Sequence, residues 1–138
     1  MQSVTAKLVA GTNYHVETAS GSFTVVSDQP ASVGGTDKGP NPKALLLAAI
    51  GACTIQTLKM VAAKKKWDLQ EVSVTVTFDE VDDLANPGKK IAQIEEKIEV
   101  KGNLTAAELT AIEQTAGKCP VLKLVEGPKQ VLKKAIKV

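Results

Sequence analysis

From Ala44 to Gln56 the chain carries no charged side chain, and this run sits inside a longer helix-forming stretch, Asn41 to Trp67. A helix with no charged stripe is buried over most of its circumference instead of along one face. Asn41 suits the N-cap, and Pro42 suits the first helical position, where its missing N–H costs nothing. Lys64, Lys65 and Lys66 then lie at the negative end of the macrodipole, a solvated terminus in preference to a basic binding patch. Unbroken from Pro42 to Lys66, such a helix runs roughly 37 Å. The uncharged run is bounded by Lys43 and Lys59, short of the about 20 apolar residues that a bilayer requires, so a soluble core helix is expected.

Everything else is arranged around that helix. Upstream, Val4, Ala6 and Leu8, then Tyr14, Val16 and Thr18, then Phe23 and Val25 alternate with polar residues, which predicts a small antiparallel meander. Ser27 to Gly39 lacks periodicity and is rich in Gly, Ser, Pro and Asp, so it reads as a loop; Gly34-Gly35 lacks the lysine-hydroxyl ending of a phosphate loop. Downstream, Val72, Val74, Val76 and Phe78 alternate strictly, and Ile91 to Lys101 returns after an acidic, turn-rich loop, which predicts a β-hairpin. Glu96 falls on the apolar face of the second strand. Either a bulge shifts the register there or a carboxylate points inward.

Thr105-Ala-Ala-Glu108 is a capping box, and Leu104 with Leu109 fits a hydrophobic staple. A helix therefore opens at Thr105 and closes near Gly117; Pro120 starts a short helix to Glu126 with Cys119 at its N-terminus, and Val131 to Val138 is expected as a final strand. Strands and helices segregated in this way predict one α+β domain over residues 1–138, an antiparallel sheet with a long central helix.

Composition removes several classes of function. The net charge is +2, and the 17 basic residues, all lysine, are interspersed with 15 acidic ones, which gives no footprint for nucleic acid. Aromatics are 3% of the chain, so stacking-based ligands are disfavoured. The opening MQSVTAKLVAG alternates and shows no apolar signal core, so a cytoplasmic protein with no membrane association is expected. A single histidine, His15, reads first as a half-buried strand residue and second as a catalytic base. One His and two distant Cys make no usual zinc site, and no Gly-x-Ser-x-Gly elbow is present. No cofactor is called for, and thiol chemistry is what remains.

The thiols are Cys53, in the middle of the long helix, and Cys119. A free cysteine is only a few per cent thiolate at pH 7, and apolar burial lowers that further. Cys53 lies roughly 17 Å from its helix N-terminus, beyond the reach of the dipole. On local grounds Cys119, at a helix start, is the better-activated thiol. Two readings stay open: inert core thiols, or a pair that passes through a sulfenic acid to a disulfide.

Gly39-Pro-Asn-Pro42, Ala49-Ile-Gly-Ala-Cys53 and Ala116-Gly-Lys-Cys-Pro-Val121 together resemble the osmotically inducible protein C and organic hydroperoxide resistance (OsmC/Ohr) family, in order and in register over nearly the whole chain. The resemblance implies an intertwined homodimer of α+β subunits with two active sites at the interface. It also implies a thiol peroxidase cycle in which Cys53 attacks a small organic hydroperoxide or hydrogen peroxide, Cys119 resolves the sulfenic acid, and an external dithiol reductant restores both. A low pKa would then make Cys119 a good leaving group during reduction. The family's peroxidases carry an acidic residue after Asn-Pro and an arginine beside the thiolate; here Lys43 follows Asn41-Pro42 and no arginine exists. Lys43 is the candidate cation in their place, reaching Cys53 if the helix kinks near Gly51 or if the partner subunit supplies it. The alternative is a non-enzymatic dimer of the same fold that binds a small hydrophobic ligand near Leu46, Ile50 and Met60.

Overall fold

A computed structural model describes residues 1–138. In chain order the elements are β1 (Thr5–Leu8), β2 (Val16–Ser20), β3 (Phe23–Ser27), α1 (Pro42–Lys65), β4 (Glu71–Asp82), β5 (Lys90–Lys101), α2 (Ala106–Ala116) and α3 (Pro120–Glu126). Every strand pair is antiparallel, as expected for an α+β chain, and the strands form two sheets, β1-β2-β3 and β4-β5. Two compact units result, Met1–Ala48 and Ala49–Val138, and the division falls within α1.

The first unit is the expected meander followed by a tied-down loop. β2 pairs β1 from Leu8↔Val16 to Thr5↔Ala19, and β3 from Val16↔Ser27 to Ser20↔Phe23. Asp28, 1% exposed, organises the loop after β3. Its carboxylate accepts from the Thr36 hydroxyl and from the N–H groups of Gln29 (2.7 Å), Lys38 (3.2 Å) and Thr36 (3.3 Å). The Thr36 hydroxyl and then those N–H groups outweigh burial and hold the Asp28 carboxyl at about 2. Gly35 passes so close to Gln29 that a Cβ there would stand 1.8 Å from the Gln29 carbonyl oxygen, so only glycine fits.

In the second unit β4 and β5 are paired over their whole length, Glu71↔Lys101 to Asp82↔Lys90, with no bulge. The side chain of Glu96, opposite Val76, therefore shares the half-buried face of Val72, Val74, Ile98 and Val100. Of the two readings of Glu96, the inward carboxylate is the one found. α1 turns Ile50, Gly51, Thr54, Leu58 and Ala62 inward, an i, i+4 stripe with Gly51 beside it. Leu58 and Ala62 join Leu69 and Ile112 in a core onto which Trp67, Val72, Ile98, Val100 and Leu104 pack.

Helix ends follow local chemistry. The Asn41 side chain accepts from the Ala44 N–H at 2.9 Å, the expected N-cap bond. At the other end Lys66 takes a left-handed φ of 57° and the Trp67 N–H reaches back to the Ala62 carbonyl at 3.0 Å, which closes α1 before Trp67 enters the core. The capping box of α2 is formed in both directions, Thr105 N–H to Glu108 at 2.9 Å and Glu108 N–H to Thr105 at 3.2 Å. Gly117 caps α2 at a right-handed φ of −64°, so its conformation does not require glycine.

Two expectations need correction. The expected final strand, Val131 to Val138, is absent: this segment has no regular structure and is exposed throughout. Val131-Leu132 and Ala135-Ile136 break the alternation a strand needs, and neither sheet offers it a paired edge. Secondly, α1 has 24 residues and an 18-residue window of mean hydropathy 1.7, so by length and composition alone it is long enough to cross a membrane. The bounding lysines do not interrupt the helix: Lys43 stands in its first turn, and Lys59, inside it, donates from Nζ to the Leu69 carbonyl oxygen at 3.0 Å.

Candidate functional site

Cys53 lies on α1 between the buried stripe of Ile50, Thr54 and Leu58 and the exposed Ala52, Gln56 and Met60, and it is half-buried. Cys119 is the N-cap residue of α3 and is fully buried. Its sulfur accepts the Leu122 N–H at 3.4 Å, as a capping side chain does. Both cysteines are free thiols, and the fold brings them into hydrogen-bonding contact across 66 residues of sequence.

Their environments differ in a way that orders the two sulfurs. Burial by itself raises the Cys53 thiol, but the Cys119 S–H, the Val121 N–H and the Thr57 hydroxyl donate to its thiolate and bring it below the ordinary value, against the charge of Glu96. Cys119 moves the other way. Burial raises it, its bond to Cys53 raises it further, and the Leu122 and Val121 N–H groups with the Thr54 hydroxyl do not compensate. The local expectation of an activated Cys119 is therefore inverted, and so is the expectation that a low pKa makes it a good leaving group. A seven-residue helix start does not offset full desolvation of the sulfur.

Below the thiols lies a polar link through the apolar interior. Thr54, fully buried, donates from Oγ1 to Glu96 Oε1 at 2.7 Å. Glu96 in turn lines a cavity of about 310 Å³ with Ile98, Val100, Leu109, Thr110, Ile112 and Glu113. Thr54, Thr57 and Val121 were not visible as site residues in the sequence. Thr57 stands at i+4 from Cys53, on the same helix face, and Thr54 is the one hydroxyl in the buried i+4 stripe, which are the signals that mark them.

Lys43 is exposed in the first turn of α1. It precedes Cys53 by ten residues on an uninterrupted helix, about 15 Å of rise. Ile50, expected near an apolar ligand, is 0% exposed and belongs to the core, whereas Leu46 and Met60 are exposed. His15 is half-buried just before β2, with Nε2 3.9 Å from Glu17 Oε1. No group of His, Cys, Asp and Glu is arranged to hold a metal ion.

The profile of the OsmC-like protein family matches residues 35–133, which include both cysteines, Thr54, Thr57 and Glu96. The chain belongs to the OsmC-like family. Solved structures agree with that placement. An OsmC-like protein from Mycoplasma pneumoniae superposes with a TM-score of 0.72 at 23% identity, over 92% of this chain and 88% of that one. An organic hydroperoxide resistance protein OsmC from Legionella pneumophila gives 0.65 at 27% identity, over 92% and 90%. An organic hydroperoxide resistance protein from Elizabethkingia anophelis, with thiocyanate bound, gives 0.64 at 24% identity, over 92% and 89%. No curated protein sequence matches this OsmC-like chain.

Proposed function

We propose that this OsmC-like protein is a soluble, cytoplasmic thiol peroxidase that reduces small organic hydroperoxides or hydrogen peroxide in oxidative stress defence. The observation that carries the reading is the ordering of the two sulfurs: the half-buried one is held toward thiolate, and the fully buried one is its donor. The hydroperoxide resistance proteins among its structural relatives support the same chemistry.

In the cycle, Cys53 thiolate attacks the terminal peroxide oxygen, the O–O bond breaks, and the alkoxide leaves as an alcohol after protonation. Cys53 is then a sulfenic acid. Cys119 sulfur attacks Cys53 sulfur; an S–S bond forms, the S–O bond breaks, and water leaves. An external dithiol reductant exchanges twice, becomes a disulfide itself and restores both thiols. No bound cofactor enters these steps.

Neutral donors stand here where the family's peroxidases use arginine. Lys43 supplies a cation at the site only if a partner subunit brings it. A homodimer is part of the reading because α1 leaves an apolar side uncovered, with Leu46 44% and Met60 61% exposed. The protein should consume cumene hydroperoxide in the presence of dithiothreitol, and Cys53→Ser should abolish this while leaving the circular dichroism spectrum intact. Equal inertness of folded wild type and variant refutes the reading.

A second reading, a non-enzymatic dimer that binds a small hydrophobic ligand, has one observation in its favour. The first unit contains a cavity of about 420 Å³ lined by Leu8, Tyr14, Val16 and Leu45 among others. Titration of the Cys53 thiol separates the two, because a passive thiol titrates at about 8.5 or above.

A further inference from the structure

Glu96 is a carboxylate on the inward face of a hairpin, with its outer side on a cavity and its inner side on a buried hydroxyl. Core-facing carboxylates are rare unless they have a partner, and this one has Thr54. Thr54 holds a single proton, and at 2.7 Å that proton points at Glu96 Oε1. The Thr54 hydroxyl also neighbours the Cys119 sulfur, where it favours the thiolate; while its proton is held by Glu96, its oxygen lone pairs are left to accept from the Cys119 S–H. Cys119, 0% exposed, has no route for its proton through bulk water.

We propose that Thr54 and Glu96 form a proton relay that activates Cys119 for its attack on oxidised Cys53. The inference rests on Cys119 acting as the resolving thiol. While Cys53 is a thiolate, the Cys119 S–H donates to it. Once Cys53 is a sulfenic acid or a mixed disulfide that negative acceptor is gone, and the S–H turns to Thr54 Oγ1. As the S–S bond forms, the Cys119 proton passes to Thr54 and the Thr54 proton passes to Glu96. With a sulfenic acid the departing hydroxide takes a proton back and leaves as water. With a mixed disulfide the thiolate leaves, and the proton remains on Glu96 until it is lost into the cavity. The charged and titratable groups facing Glu96 are Cys53 from α1 and Glu113 from α2, across the cavity.

The relay is tested without reliance on peroxide chemistry. Dithionitrobenzoate is added to wild type, Glu96→Gln, Thr54→Val, Thr54→Ser and Cys119→Ser, and thionitrobenzoate release is followed by stopped flow. A first equivalent reports modification of half-buried Cys53, and a second reports attack of Cys119 on that mixed disulfide. Cys119→Ser should release only the first. Glu96→Gln and Thr54→Val should slow the second release about 100-fold, the lower end of what a positioned base contributes, without slowing the first. Thr54→Ser should restore it, and the deficit in Glu96→Gln should narrow as pH rises and hydroxide replaces the relay. A second release that proceeds at the wild-type rate in Glu96→Gln, or that is slowed equally by Thr54→Ser and Thr54→Val, overturns the relay. A parallel reaction with cumene hydroperoxide and dimedone reports on the peroxidase reading alone: wild type that yields no disulfide and no trapped sulfenic acid refutes that reading, whatever the thionitrobenzoate phases show.

Discussion

Gly51 faces β4 from the buried side of α1, and its replacement tests how the helix is seated. A Cβ built there stands 3.2 Å from Val76 Cγ2 and 3.9 Å from the Val74 carbonyl oxygen. One methyl is tight, but the Val76 side chain can give by a few tenths of an ångström, and alanine gains about 1 kcal/mol of helix propensity over glycine. Gly51→Ala should therefore be neutral or slightly stabilising. Valine adds two further methyls at a position where its χ1 is nearly fixed in a helix, so it cannot turn away. Overpacking of this kind costs about 1–3 kcal/mol, against about 0.3 kcal/mol of helix propensity gained. At about 2.1 cal/mol/K per residue the 138-residue chain has an unfolding entropy of about 0.29 kcal/mol/K, so a net cost of 2 kcal/mol lowers Tm by about 7 °C. Thermal unfolding followed by circular dichroism reads the difference. A Gly51→Val protein that melts as high as Gly51→Ala would refute the close seating of α1 on β4.

Leu58→Ala removes a fully buried side chain from the core around Leu69 and Ile112, and should cost about 2–5 kcal/mol in urea unfolding; an unchanged midpoint contradicts that core. Asp28 has its carboxyl depressed from 3.8 to about 2, so its stabilising effect is full above pH 4 and is lost as pH falls toward 2. Acid unfolding of Asp28→Asn should lack the part of the pH dependence that wild type shows between those values, and identical profiles would remove Asp28 from its role in the loop. Thr57→Val deletes a donor to the Cys53 thiolate, so the midpoint of iodoacetamide alkylation against pH should rise. A midpoint that stays in place or falls shows that Thr57 does not hold the thiolate.

What could be read from the sequence was chemistry that acts over one or two turns. The Asn41 cap, the Thr105–Glu108 box and the alternation of β4 need only neighbours in the chain, and each appears where it was expected. The placement of Glu96 was legible as an anomaly but not as an answer, because its partner Thr54 lies 42 residues away. The ordering of the thiols is hidden from the sequence for a related reason. A helix-start position is a local property, whereas desolvation of Cys119 and its role as donor to Cys53 come from packing between α1 and the start of α3. The terminal segment shows the same limit from the other side: a strand exists only where another strand accepts it, and local composition does not supply one.

The inverted order of the sulfurs bears on the reductive half of the proposed cycle as well. An incoming dithiol reaches Cys53, which is half-buried, and not Cys119, which is fully buried. Attack on Cys53 expels Cys119, and a thiolate with a raised pKa is a slow leaving group. Such a departure is eased by a proton delivered as the S–S bond breaks. In the proposed relay that proton is the one the incoming thiol gives up, passed through Glu96 and Thr54 to Cys119, so one pair of side chains would serve Cys119 both as nucleophile and as leaving group. Access and proton supply would thereby be separated in the proposed cycle: peroxide and reductant would meet half-buried Cys53, and the Thr54–Glu96 pair would handle the proton of fully buried Cys119.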